Sequence, residues 1–194
     1  MLIHRRSFLK NTSILVGATA LLPVDVLLSE GKKKRLLGLQ LYSVREDMKK
    51  NPLETLRQLS AIGYKHVEHA GYANRKFYGY PAKEFKKLLA DLGMKMPSGH
   101  TSLGTEHWDN AKKDFSDAWK QTVEDAAIAG QVYVISPWLD KSIYATSDSL
   151  KRFMDVFNKC GELCKKSGMS FGYHNHDFEF SVQLDNKTVY DIIL

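Results

Sequence analysis

His174-Asn175-His176 sets two imidazoles two positions apart, and Asp177 and Glu179 follow at once. Side chains alternate along an extended strand, so His174 and His176 would share a face. Two imidazoles on one face can ligate a divalent cation or transfer protons, whereas a lone histidine is more often a hydrogen-bonded packing residue. Further polar and aromatic groups recur upstream: Gln40, Tyr42 and Ser43, then Glu68 and His69, then His100, then Pro137 and Trp138. Glu68 could serve as a base or pair with a lysine; Trp138 could stack on a sugar face or cover a core. The expected division is His174, His176 and Glu68 in catalysis, with Gln40, Tyr42, His69, His100, Trp138 and Asn175 binding substrate. Three candidates are set aside: Cys160 and Cys164, four apart, suit core packing, and His66 lies early in its run. His107 and Trp108 fit a lid or plain surface equally well.

The elements that must position these groups repeat. Gly63, Gly93, Gly130 and Gly168 each follow a helical pattern and precede a strand-like run. A glycine just past a helix end accepts the left-handed conformation of a C-cap. Expected strands are 37–42, 64–69, 94–100, 131–136 and 169–174. The first helix starts with Asn51 as cap, Pro52 in the first turn and Glu54 at capping-box spacing, and Leu53, Leu56, Leu59 and Ile62 recur helically. Further helices are expected at 82–92, 111–129 and 149–166. Strands alternating with helices imply parallel pairing through right-handed crossovers. An open doubly wound sheet and a (β/α)₈ barrel both satisfy this pattern. In either, the candidate residues end successive strands, the face where such folds bind ligands.

Composition removes other classes. The 194 residues are 43% hydrophobic, 26% charged and 11% aromatic, ordinary for a globular chain. The formal charge of +6 hints at nucleic acid, but residues 1–35 hold seven of the 28 Lys and Arg and only two of the 22 acids. The rest is nearly neutral and carries no broad footprint for a phosphate backbone. Two cysteines make no disulfide scaffold. The first strand-to-helix turn, 43–50, has no glycine, and no phosphate cradle or Ser-His-Asp order is visible. At the start, Arg5-Arg6 precede Phe8-Leu9-Lys10 and a modest apolar run broken by Pro23 and Asp25. This reads as a twin-arginine export signal, cleaved or kept as an anchor, with Lys32 to Arg35 as a basic linker. The expected organisation is 1–35 as signal and linker and 36–194 as the folded body. The expected location is periplasmic, with the membrane touched only through the signal.

Gly38-Leu39-Gln40-Leu41-Tyr42-Ser43, Gly63 to Glu68, Ser98-Gly99-His100, Pro137-Trp138 and Gly172 to Asp177 together resemble the xylose-isomerase-like sugar phosphate isomerase/epimerase family, in particular its exported members. The resemblance implies a (β/α)₈ TIM barrel. It also implies a divalent cation (Mn, Mg, Co or Zn) at the barrel mouth, stabilising an enediolate while a carboxylate moves a proton beside a carbonyl. In the epimerase members the ligands are Glu, Asp, His and Glu from strands five to eight; His174 stands here at the fifth-strand position. The Tyr-His-x-His pattern is also similar to an inosose-dehydratase-like branch, which expels water from a keto-sugar or keto-polyol.

A closed barrel of such units needs about 250 residues. The sequence therefore reads as five β/α units of an incomplete barrel, with the remaining ligands expected beyond Leu194. A carbohydrate is the expected partner, preferably unphosphorylated given the export signal. A non-catalytic carbohydrate-binding or remnant protein is the reading from a different class.

Overall fold

The computed structural model describes residues 37–194. The export signal and the basic linker expected at 1–35 lie outside the described residues. The elements run β1 (Gly38–Gln40), α1 (Arg45–Lys50), α2 (Pro52–Ile62), β2 (His66–His69), β3 (Tyr72–Ala73), β4 (Lys76–Phe77), β5 (Tyr80–Pro81) and α3 (Ala82–Asp91). They continue with β6 (Lys95–His100), β7 (Trp108–Asp109), β8 (Asp114–Phe115), α4 (Asp117–Ala129), β9 (Tyr133–Ser136), α5 (Ser147–Lys166) and β10 (Ser170–Tyr173). The last are α6 (Phe178–Ser181), β11 (Gln183–Leu184), β12 (Lys187–Thr188) and α7 (Val189–Ile193).

Local chemistry sets the helix ends. Asn51 Oδ1 accepts from the Glu54 amide at 3.1 Å, with Pro52 in the first turn, and Gly63 closes α2 at φ 113°. Ser116 caps α4 and Gly130 closes it at φ 91°. Thr146 and Ser149 form a reciprocal box at the start of α5. The third helix starts later than its apolar pattern suggests. Asp109 accepts from the amides of Ala111 and Lys112, and Lys113 sits at φ 55°, so 109–114 turns as a hairpin loop.

Five strands form one parallel sheet in the order β1-β2-β6-β9-β10. Each new strand is added beside the previous one, and the order never reverses. A doubly wound sheet needs such a reversal, so the strand order selects the barrel wind. Helix-facing side chains fill two clusters, one around Leu56, Val67, Phe85 and Met96, the other around Trp119, Val134, Phe153 and Cys160. Cys160 and Cys164 are free and buried.

One irregularity matters for the site. His66 of β2 pairs with Lys95 of β6, but Glu68 pairs with Ser98. Strand β6 thus spends one residue more than β2 over this stretch, a β-bulge at Met96-Pro97. Met96 turns into the helix-facing core, while beyond the bulge Ser98 and His100 turn to the side of Glu68.

Candidate active site

Strand ends β1, β2, β6, β9 and β10 surround a cleft of about 680 Å³. Its lining includes Gln40, Tyr42, His100, Trp138, His174 and His176 among the residues expected from sequence. It also includes Tyr72, His107, Trp119 and Thr122, which sequence reasoning left out or left undecided. Tyr72 comes from an antiparallel excursion, β3 to β5, that leaves the barrel after β2. Its hydroxyl donates to Asp125 Oδ2 of α4 at 2.6 Å, and Arg75 grips the same carboxylate at 2.8 and 3.0 Å. Burial, with that carboxylate adding to it, pushes the Tyr72 phenol up to about 12. His107 follows β6 on its loop; its Nδ1 accepts from the Gly104 amide, and its ring lies 4.8 Å from Trp119. Trp108 turns away and packs on Phe115.

The imidazoles stand in a row. Ring centroids of His100 and His174 are 4.8 Å apart, and those of His174 and His176 5.0 Å. The strand ends at Tyr173, so His176 reaches the cleft from the following loop rather than by strand alternation. Buried Glu179 holds that loop: it accepts from the Tyr173 hydroxyl and, at 2.7 Å, from the His176 amide. His174 is held below the ordinary imidazole value by desolvation first, then by the neighbouring His100 and His176. Trp138 is half exposed and meets the edges of His176 and Phe178, each at 5.3 Å.

Three expected residues stand elsewhere. Glu68 lies behind the cleft rather than on its lining. It accepts from Gln40 Nε2 at 2.8 Å and Ser98 Oγ at 2.6 Å, and its Oε1 is 3.2 Å from His100 Nε2. The hydrogen bond with His100 leads the causes that lower its carboxyl to about 2, against a cost of desolvation. His69 is wholly buried on the opposite, helix-facing side, edge-on to Phe77 at 4.8 Å, with neither ring nitrogen hydrogen-bonded. Strand alternation explains this: with Glu68 turned inward, His69 must turn outward. It therefore does not reach the cleft that a substrate-binding role requires. Asn175 is exposed, donates to the His176 carbonyl, and does not line the cleft.

Residues 56–193 match the model of the xylose isomerase-like TIM barrel family. The chain belongs to that family. Among solved structures, a sugar phosphate isomerase/epimerase from Parabacteroides distasonis is 30% identical with a TM-score of 0.66, covering 81% of this chain and 63% of that one. A second sugar phosphate isomerase/epimerase from the same organism is 24% identical with a TM-score of 0.70, covering 89% and 65%. An L-ribulose 3-epimerase, 17% identical with a TM-score of 0.50, covers 70% and 48% and shares the fold. The chain thus spans less than two thirds of the length of these barrel-family structures. A search of curated proteins gives no match.

The divalent cation implied by the resemblance can be tested against the donors present. Among the described residues no three His, Cys, Asp or Glu side chains converge to hold an ion. His174 and His176 offer imidazole nitrogens, but Glu68 is occupied by Gln40, Ser98 and His100, and Glu179 by the Tyr173 hydroxyl and the His176 amide. The described residues therefore do not make a cation site.

Proposed function

We propose that this protein is a sugar isomerase or epimerase that moves a proton on the carbon beside a carbonyl. The observation that carries the proposal is the row of imidazoles formed by His100 at the end of β6 and His174 and His176 just past β10, facing a cleft with an aromatic wall. A sugar bound there would lay an apolar ring face against Trp138 and its hydroxyls toward Gln40, Thr101 and the imidazoles. An imidazole with an open ring nitrogen can accept the acidic proton beside the carbonyl and return it to the neighbouring carbon or the opposite face. We assign that exchange to His174 and His176. The sugar isomerase/epimerase relatives favour this class. A cation, if part of the reaction, needs ligands in addition to His174; no step above depends on it.

The test is solvent-proton exchange by the purified full-length protein in deuterated water. The panel holds free ketoses, L-ribulose among them, and their phosphates. One deuterium gained beside the carbonyl of at least one sugar is expected, an unphosphorylated one. Loss of water in place of exchange would move the reading to a dehydratase. Saturable binding with neither outcome would leave a carbohydrate-binding protein.

A further inference from the structure

This inference rests on the proton-transfer reading and concerns which groups reach the substrate. Glu68 is the carboxylate beside the imidazole row, yet its oxygens are engaged. Oε1 accepts from Gln40 Nε2 at 2.8 Å and lies 3.2 Å from His100 Nε2, while Oε2 accepts from Ser98 Oγ at 2.6 Å. A carboxylate offers about four acceptor positions, so little capacity is left for a substrate. Gln40 Nε2 also lies 3.0 and 3.2 Å from the two ring nitrogens of His100. The four side chains close on one another.

The closure is built into the sheet. Gln40 pairs with Glu68 across β1 and β2, and Glu68 pairs with Ser98 across β2 and β6. Ser98 and His100 reach that side because of the Met96-Pro97 bulge. The ring of His174 then rests 4.8 Å from that of His100. His174 is exposed to the cleft and makes no hydrogen bond through its ring among the described residues.

We infer that Gln40, Glu68 and Ser98 are positioning residues: they clamp the His100 ring as a pedestal for His174, the imidazole that meets the substrate. Glu68 then acts through His100 and never on the sugar. A buried network of this kind is rigid only while every member is satisfied.

The test exchanges donor and acceptor between strands. Glu68→Gln alone sets two amides against each other. Gln40→Glu combined with Glu68→Gln returns one carboxylate and one amide to the network, with the carboxylate now on β1. Full-length protein labelled with ¹⁵N-histidine gives ring signals for each variant, assigned with His100→Gln and His174→Gln. Glu68→Gln should shift the signals of both His100 and His174, and the exchanged pair should bring both back. Proton exchange on the best sugar should follow: kcat falls about tenfold or more in Glu68→Gln with KM nearly unchanged, and recovers in the exchanged pair. Recovery of the ring signals without recovery of kcat would overturn the inference and make Glu68 a chemical participant. Unmoved His174 signals in Glu68→Gln would remove the pedestal. If Glu68→Gln does not fold, Ser98→Ala withdraws one donor, and its His100 and His174 signals decide the same point. Should the wild type exchange no sugar, the proton-transfer reading fails, while the ring signals still judge the pedestal.

Discussion

In the unfolded chain His69 takes up a proton near its ordinary pKa of 6.5; in the folded protein burial lowers this to about 3. The unfolded state therefore binds the extra proton first, and stability present above pH 6.5 is lost as pH falls toward 3. Each unit of pKa difference is worth about 1.4 kcal/mol, so this side chain makes folding acid-sensitive well before the carboxylates titrate. Glu68 behaves alike in a lower window: its carboxyl falls from 4.5 to about 2, so its contribution, present above 4.5, is lost as pH drops toward 2. His69→Leu should flatten the loss of stability between pH 6.5 and 4.5 and make the fall from 4.5 to 3 shallower, leaving the carboxylate contribution. Urea midpoints across pH read this directly, and an unchanged slope in His69→Leu would refute it. The same pair shows what the sequence exposes at this scale. Glu68 and His69 are adjacent in a strand and cannot both face one cleft, and alternation alone separates them. That His100 would be tied to Glu68 depends on distances between strands, which a linear sequence does not carry.

The parallel strands and the four main helices were legible because apolar periodicity and a glycine past the helix end coincide there. The excursions were not. The turn between β3 and β4 is made by Asn74 and Arg75, both at positive φ (51° and 60°) without a glycine to announce it. The bulge in β6 left a single mark, Pro97, which cannot donate to a ladder in a central strand, and the expectation of one extended run at 94–100 passes over it. Deleting Pro97 should remove the bulge, pair Met96 with Val67 and Ser98 still with Glu68, and leave the Glu68–His100 contact in place. A crystal structure of the deletion would check this, and a β6 whose His100 turned away from Glu68 would contradict the assigned bulge. Arg75 is the matching test on the other wall. Asp125 is almost wholly buried, and removing its cation leaves that carboxylate with the Tyr72 hydroxyl alone. Arg75→Ala should lower the midpoint of chemical denaturation and loosen the Tyr72 wall. An unchanged midpoint would show the excursion to be held by packing instead.

For the whole molecule, five sequentially added parallel strands give the barrel wind, with which the family match agrees, and bring the strand ends to one rim. The sequence disclosed this much because each β/α unit repeats the same punctuation. It disclosed less of the cleft, because its walls come from loops between the repeats. The amino-terminal segment supports a proposal of export through Arg5-Arg6. Replacing both with lysine should strand the protein in the cytoplasm on cell fractionation, and unaltered export would refute the twin-arginine route. The central claim is that this rim moves a proton beside a sugar carbonyl through His174. The most direct measurement is deuterium incorporation into the best sugar by wild type and by His174→Gln, with thermal melting as a folding control. The expected result is exchange by the wild type that falls at least about a hundredfold in the folded variant. Equal exchange by the two proteins would contradict the assignment.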